Sequence, residues 1–297
     1  MNTFETTVIG SYPVTIDNNL LMDRYFNGES ISWESTLRQA VQDFLTAGIT
    51  MIADGQTRDP FITIFARKLE GCRIRDRPEV VDKIGYKESI TIEDLRFVKQ
   101  HLPPGKKLVG LLAGPHTLSQ SVVDLYYHDV KELAFAFAEA LHEEARQMQD
   151  LVDMISVDEP FFCLGLPDYA GEVISKVFSG VSVPVRLHAC GDVTPVLPDI
   201  LELPVDVLSH EFKASPQIMD AFAEYRFSQD ICLGCVRSDD ARVEPVEEIV
   251  EHIQRAQQVF GEHICQLAPD CGQRLLPRDV AFQKLQHMVL AGERIHD

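Results

Sequence analysis

The sequence predicts a single α/β domain in which eight parallel strands alternate with helices and close into a (β/α)8 barrel. Eight short apolar runs recur along the chain, helical patterns separate them, and each run ends in a glycine-rich or polar turn. Such alternation is typical of a parallel sheet with crossover helices, and eight repeats favour closure. The 297 residues suit one barrel of ordinary size, so we expect residues 1–297 to form one domain.

The apolar runs fix the expected positions of the barrel strands. We predict strands at residues 6–9, 50–54, 108–113, 154–157, 185–190, 205–209, 231–236 and 264–268. Apolar positions spaced for one helical face predict helices at residues 33–46, 130–149, 246–260 and 277–290. Gly48 follows the first of these helices and is a plausible C-cap.

The longest excursion from the repeat follows the second strand, at about residues 56–106. Helical patterns occur within it near residues 61–69 and 92–100. No linker or low-complexity segment accompanies the excursion. We therefore interpret it as an elaborated loop over the strand ends of the same barrel.

The charge balance excludes several classes of partner. The net charge is −19 and the pI is about 4.9, which argues against nucleic acid and anionic membrane surfaces as partners.

No run of about 18 apolar residues predicts a membrane-spanning helix. Seven scattered cysteines in a chain without a signal-peptide pattern favour reduced thiols, so we expect a cytoplasmic protein.

Polar side chains collect where the predicted strands end, which is where barrel enzymes form their active sites. These residues are Ser11, Gln56, Asp158, His188, Cys190, Glu211 and Cys271. His188 and Cys190 are two residues apart on one strand, so their side chains lie on the same face. Imidazole and thiolate are both good zinc ligands, and the pair therefore indicates half of a metal site.

Spacing alone leaves other interpretations open. The two cysteines of the candidate site could be buried small residues, Glu211 a surface acid and His188 a satisfied core histidine. A structural zinc is less favoured, because structural sites gather their ligands locally. Cys232 and Cys235 have a C-x₂-C spacing, but residues three apart on a strand point to opposite faces, so we expect them to serve packing.

The remaining strand-end groups are equally open from spacing. Asp158 could hold a substrate amino group or cap the next helix, and Gly10 with Ser11 could bind a carboxylate or simply form a turn. No Walker loop or G-x-G-x-x-G pattern follows a strand, so nucleotide binding is unsupported.

Taken together, the motifs resemble the catalytic C-terminal domain of cobalamin-independent methionine synthases, from about residue 3 to residue 291. The resemblance is carried in order by Thr-Val-Ile-Gly-Ser-Tyr-Pro at 7–13, Val-Asp-Glu-Pro at 157–160, His188-x-Cys190, Glu211, and Pro-Asp-Cys-Gly at 269–272. It implies a barrel that transfers a methyl group to the thiolate of L-homocysteine and makes L-methionine.

The resemblance also implies roles for single residues. The ligands of a catalytic zinc would be His188, Cys190, Glu211 and Cys271. The amino acid part of homocysteine would be bound by Ile9, Gly10 and Ser11, with Asp158 taking the ammonium group.

Several positions depart from the family. Gln56 stands where family members have an acid that contacts homocysteine, and Arg237 stands where they have a proton-donating histidine. Residues 114–127 lack the tryptophan on which family members stack the folate donor.

The long enzymes also carry an N-terminal barrel, so this sequence resembles the short core form. The implied donor is a methylated corrinoid, either methylcobalamin or a corrinoid protein, with Asp158 and Arg237 as candidate catalytic residues.

Three alternatives stay open at this point. The donor could be 5-methyltetrahydrofolate, or the acceptor could be another thiol such as coenzyme M. The chain could instead be a non-catalytic partner that handles zinc or a corrinoid inside a methyltransferase complex.

Overall fold

A computed structural model describes residues 4–16 and 33–295 of the chain and shows the predicted barrel. Eight strands form one sheet, and every pairing between neighbouring strands is parallel. A parallel bridge between Thr7 and Met51 joins the first and the last strand of this sheet, so the sheet closes on itself. The (β/α)8 prediction is therefore confirmed.

The barrel strands lie within a few residues of the predicted runs. They are β1 (Glu5–Thr6), β2 (Met51–Ile52), β5 (Lys107–Ala113), β7 (Met154–Asp158), β8 (Val185–Ala189), β9 (Val207–His210), β10 (Asp230–Val236) and β11 (Ile264–Pro269). Their order in the sheet is β1-β11-β10-β9-β8-β7-β5-β2. Three further strands form a small separate sheet: β3 (Leu69–Ile74), β4 (Pro78–Tyr86) and β6 (Val123–Asp124).

Helices surround the barrel and return the chain between strands. In the described ranges they are α1 (Glu34–Ala47), α2 (Phe61–Ala66), α3 (Ile92–Gln100), α4 (Pro115–Ser121), α5 (Val130–Met148), α6 (Ala170–Val177), α7 (Leu197–Ile200), α8 (Gln217–Phe222), α9 (Val246–Phe260) and α10 (Arg278–Arg294). None of these helices combines the length and the apolar character that a membrane crossing requires.

Apolar patterning explains why these elements form and where they pack. All five residues of β7 and of β8 are buried, as expected for strands covered on both faces. The longer helices bury one stripe each, including Phe44 of α1 and Phe137 of α5. Gly48 caps helix α1 as predicted: it adopts a left-handed conformation (φ 92°), and its N–H donates to the carbonyl of Leu45.

The excursion after β2 is only partly helical, which corrects the expected helix at 61–69. Helix α2 ends at Ala66, and Leu69 already begins β3, which pairs antiparallel with β4. This hairpin was not predicted because most of its positions are only half-buried, so its apolar alternation is weak. The predicted helix at 92–100 is present as α3.

A buried carboxylate ties the excursion to the barrel. Glu144 of α5 is fully buried and accepts hydrogen bonds from the backbone N–H groups of Ile90 (3.0 Å) and Thr91 (2.7 Å). It also accepts one from the hydroxyl of Tyr86 at the end of β4 (2.8 Å). The excursion is thereby fixed against helix α5.

Candidate metal and amino-acid site

Three of the four predicted metal ligands converge at the carboxyl ends of the strands. His188 lies near the end of β8, Cys190 directly follows β8, and Cys271 follows β11. His188 Nε2 is 3.1 Å from Cys190 Sγ, and Cys190 Sγ is 2.8 Å from Cys271 Sγ. One potential ligand atom from each residue lies within 4.8 Å of the other two. The convergence requires the closed barrel, because the β8 and β11 ends are far apart in the chain.

The imidazole of His188 is oriented by the neighbouring strand. Ser209 of β9 is its register partner, and Ser209 Oγ is 3.1 Å from His188 Nδ1. With Nδ1–H donating to this hydroxyl, Nε2 presents its lone pair to the cysteines. Burial and the charge of Arg186 lower the pKa of His188, which keeps the ring neutral and able to bind a metal. Ser209 was missed from the sequence, because only strand pairing places it beside His188.

The two thiols of the cluster suit a soft cation. The hydrogen bond with Cys271 and burial both raise the pKa of Cys190, since two thiolates this close repel each other. A bound cation would remove that penalty, and a donor set of one imidazole and two sulfurs is typical of zinc. The residues present therefore fit a zinc ion.

Ser238 fixes the backbone at Cys271. Its hydroxyl accepts a hydrogen bond from the Cys271 N–H (3.1 Å) and donates one to the Cys271 carbonyl (2.7 Å). This clamp joins the loop after β10 to the loop after β11, and it too depends on contacts between distant segments.

The fourth predicted ligand, Glu211, lies at the edge of the cluster and not within it. Among the described residues, the group within 4.8 Å contains only His188, Cys190 and Cys271. Burial raises the pKa of the Glu211 carboxyl, just after β9, and the nearby Gly191 N–H opposes that shift. Glu211 is close enough to Cys190 for its charge to raise the pKa of that thiol.

Asp158 is placed beside the loop after β1, as an amino-acid site would need. Its carboxyl is buried and accepts a hydrogen bond from Ser156 Oγ (3.1 Å). Burial raises the pKa of Asp158 to about 6, although the charge of Arg186 opposes the shift. Gly10 has φ +51°, and a Cβ at Gly10 would lie 3.9 Å from Asp158 Oδ2. The backbone of Gly10 and the Asp158 carboxylate are therefore neighbours.

The loop after β1 also packs on the loop that carries Cys271. The Gln273 N–H donates to the Ser11 carbonyl (2.8 Å), and a Cβ at Gly272 would lie 3.0 Å from the Ser11 nitrogen. A side chain at 272 would require the Ser11 backbone to shift by a few tenths of an ångström. Ser11 is half-buried and Ile9 is buried, so the predicted amino-acid contacts and the metal ligands share one wall of the mouth.

Gln56 carries an unsatisfied amide. Its side chain is buried, and neither its Nε2 nor its Oε1 has a hydrogen-bond partner within the described part of the chain. The residue has φ +45°, a conformation that costs a non-glycine residue energy. A buried amide without partners costs about 1–3 kcal/mol, and a hydrogen bond to a ligand or to water would remove that cost.

Two other strand-end residues have structural partners. Glu159 accepts hydrogen bonds from the N–H groups of His116 (3.0 Å) and Thr117 (2.8 Å) and so caps helix α4, whereas Asp158 does not. Arg237 is half-exposed and its guanidinium pairs with Asp239, with N–O distances of 2.8 and 2.7 Å. Its charge acts at the edge of the cluster, since it opposes the rise that burial causes in the pKa of Glu211.

The cysteines predicted to serve packing lie outside the metal-binding group. Cys232 and Cys235 are both fully buried, and Cys232 Sγ accepts a hydrogen bond from Arg186 Nη1 (3.5 Å). Neither belongs to the group of ligating atoms found within the described ranges.

Comparison with known families matches residues 4–294 to the family described as the catalytic domain of cobalamin-independent synthase. The methionine synthase of Methanothermobacter thermautotrophicus is 35% identical, over 96% of this chain and 98% of its own length. The methionine synthase of Methanocaldococcus jannaschii is 31% identical, over 98% of this chain and 99% of its own length.

Among solved structures, the fold is similar to that of a B12-independent methionine synthase from a Shewanella species, determined in complex with selenomethionine. The TM-score is 0.83 at 22% identity, with 99% of this chain and 98% of the other covered. A methyltransferase from Methanosarcina mazei gives a TM-score of 0.71 at 18% identity, with 100% of this chain and 95% of the other covered. At these identities the likeness concerns the fold.

Proposed function

The chain belongs to the family of cobalamin-independent methionine synthase catalytic domains, and from that premise we propose that it is a zinc-dependent methyltransferase that converts L-homocysteine to L-methionine. The observation that carries the zinc dependence is the cluster of His188, Cys190 and Cys271, whose ligating atoms lie within 4.8 Å of one another. Bound zinc would supply the Lewis acidity that favours the thiolate form of the substrate, whose free thiol, with a pKa of about 8.5, is mostly protonated at neutral pH.

The residues of the cluster prepare the site in complementary ways. Ser209 holds His188 in the tautomer that leaves Nε2 free, and Ser238 holds the backbone of Cys271. Glu211 lies beside the cluster, so we assign it the role of the fourth and most easily replaced ligand. Two thiolates and a carboxylate are electron-rich donors, so a metal held by this set would leave the substrate sulfur nucleophilic.

The amino acid part of homocysteine is assigned to the adjoining wall. Asp158 would accept hydrogen bonds from the ammonium group, and backbone N–H groups at Ile9, Gly10 and Ser11 would bind the carboxylate. Gln56 supplies an amide that has no hydrogen-bond partner among the residues described by the structure. The selenomethionine bound in the Shewanella structure supports an amino-acid site in this family.

For the methyl donor we propose a methylated corrinoid, either methylcobalamin or a corrinoid protein. A corrinoid departs as a reduced cobalt species without taking a proton, whereas a folate amine needs a proton donor. At the end of β10 the chain has Arg237, which is already paired with Asp239. His116, which follows β5, has its pKa lowered by burial and is a poor acid. Residues 114–127 also lack a tryptophan for folate stacking.

The family's description as cobalamin-independent favours the second candidate, 5-methyltetrahydrofolate. The test therefore measures zinc content and methionine formation from homocysteine with methylcobalamin and with methyltetrahydrofolate in parallel. We expect one zinc per chain and faster turnover with methylcobalamin; turnover with the folate alone would overturn the donor assignment.

A thiol panel completes the assay. Homocysteine should be preferred over coenzyme M, because only an amino acid can use Asp158 and the Gly10–Ser11 backbone. If zinc-loaded protein turns over with neither donor nor any thiol, the non-catalytic interpretation replaces the proposed activity.

A further inference from the structure

Asp270 is a buried acid immediately before Cys271, and the proposed reaction gives it no role. Its carboxylate accepts hydrogen bonds from two consecutive backbone N–H groups, those of Lys213 (2.9 Å) and Ala214 (2.7 Å). The side chain of Lys213 is engaged elsewhere, since its Nζ is 3.0 Å from Glu248 Oε1. Asp270 therefore holds the backbone of this loop and does not form an ion pair with Lys213.

The loop that Asp270 holds is the one that carries Glu211. It turns back on itself through a hydrogen bond from the Ser215 N–H to the Glu211 carbonyl (2.8 Å), and the two bound amides lie inside that turn. Asp270 thus connects a segment next to the ligand Cys271 with a segment two and three residues beyond Glu211.

The connection crosses an intervening strand. In the sheet order, β10 lies between β9, which leads to Glu211, and β11, which leads to Cys271. At the crossing point β10 has Gly234, and a Cβ there would lie 2.2 Å from Asp270 Oδ1 and 2.6 Å from the carbonyl oxygen of His210. Gly234 therefore provides the space through which the carboxylate reaches the loop.

We propose that Asp270 is a positioning residue that sets the place of Glu211 relative to Cys271, with Gly234 as the opening it needs. This inference rests on the proposed zinc site. Partners that orient metal ligands in this way typically change metal affinity about 10- to 100-fold when they are removed. Asp270 would contribute to zinc affinity although it touches neither the ion nor the substrate.

The test uses Asp270→Asn, which keeps the size but places an NH₂ group against one of the two N–H donors. The matched control is Glu144→Gln. Glu144 lies on helix α5 and is likewise a buried carboxylate, and it accepts hydrogen bonds from the consecutive N–H groups of Ile90 and Thr91. Zinc affinity is measured by competition with a chromophoric chelator, and the midpoint of thermal unfolding is measured on the same samples.

We expect Asp270→Asn to weaken zinc binding about 10- to 100-fold, and Glu144→Gln to lower the unfolding midpoint while leaving zinc affinity unchanged. Wild-type zinc affinity in Asp270→Asn, or an equal loss of affinity in Glu144→Gln, would overturn the inference and leave the proposed function intact. A wild-type chain that binds no zinc would instead remove the proposed function, and the inference with it.

Two further variants make the test specific. Gly234→Ala should also weaken zinc binding, because its Cβ would displace both the Asp270 carboxylate and the His210 carbonyl, and it replaces Asp270→Asn if that variant does not fold. If Asp270 acts through Glu211, the double variant with Glu211→Gln should bind zinc no more weakly than Glu211→Gln alone. Additive losses would show that Asp270 acts by another route.

Discussion

The two sides of the barrel mouth differ in how their polar side chains are hydrogen-bonded. On the side of β8, β9 and β11, His188 and Cys271 are each held by a serine from a neighbouring strand or loop. On the side of β2, Gln56 has a strained backbone and a buried amide that finds no hydrogen-bond partner among the described residues. On the first side the candidate metal ligands are held in place by hydrogen bonds, whereas the second side retains unsatisfied polar groups that a ligand can satisfy.

Buried acids occur on both sides. Near the cluster, Asp270 accepts hydrogen bonds from two backbone N–H groups, yet burial raises its pKa to about 8. Next to β2, Asp54 is fully buried and has its pKa raised to about 7, by burial first and by Asp94 second. The two sides therefore differ in how their polar groups are satisfied and not in buried charge, and variants on the two sides should differ in what they change.

The largest effect is expected on the cluster side, from Cys271→Ser. Replacing a sulfur ligand by a weaker oxygen ligand should remove zinc and lower turnover at least roughly 10³-fold, equivalent to about 4 kcal/mol. Zinc analysis and an initial-rate assay check both together. Cys265→Ser is the matched control: Cys265 lies on β11 itself, donates to the Ile231 carbonyl and should keep full zinc. An active, zinc-free Cys271→Ser would refute the ligand assignment.

On the β2 side, Asp54→Asn should stabilise the protein in a pH-dependent way. The folded-state pKa of Asp54 is about 7 against an ordinary value of 3.8, so the folded chain holds this proton more tightly. Wild-type stability therefore falls as pH rises from about 4 to 7, and the variant escapes this loss. The advantage should approach roughly 4 kcal/mol at pH 8 and vanish near pH 4. Urea unfolding across that range measures it; a pH-independent difference would contradict the assignment.

Asp158→Asn tests whether Asp158, between the two sides of the mouth, binds the substrate ammonium group. Loss of a charge-assisted hydrogen bond to the substrate ammonium, worth about 1.5–3 kcal/mol, should raise the KM for homocysteine by roughly 10- to 100-fold. Zinc content should stay unchanged, because Asp158 does not belong to the metal-binding group. An unchanged KM, or loss of zinc, would remove Asp158 from the amino-acid site.

The smallest effect is expected from Gln56→Met, and its sign is informative. Removing a buried amide without partners should raise the free energy of unfolding of the substrate-free protein by about 1 kcal/mol. The same change should weaken homocysteine binding, because the amide can no longer meet the ligand. Unfolding curves with and without homocysteine separate the two effects, and a destabilised substrate-free variant would show that the amide already has a partner.

Local sequence patterns predicted most of the barrel. All eight barrel strands were located from apolar runs, because a strand buried on both faces needs a continuous apolar segment whatever its neighbours are. The β3–β4 hairpin escaped prediction, because its half-exposed strands are specified mainly by pairing with each other and by contact with α5. Patterns within one segment cannot reveal contacts between segments.

The same division holds at the site. The sequence by itself determined that His188 and Cys190 share a face, because alternation along a strand is local, and motif order indicated that Cys271 joins them. Only the tertiary structure decided that Ser209 orients His188, that Glu211 stays at the edge of the cluster, and that Asp270 reaches its loop across Gly234. Those relations depend on strand register and on the close approach of loops far apart in the chain, which closure of the barrel creates.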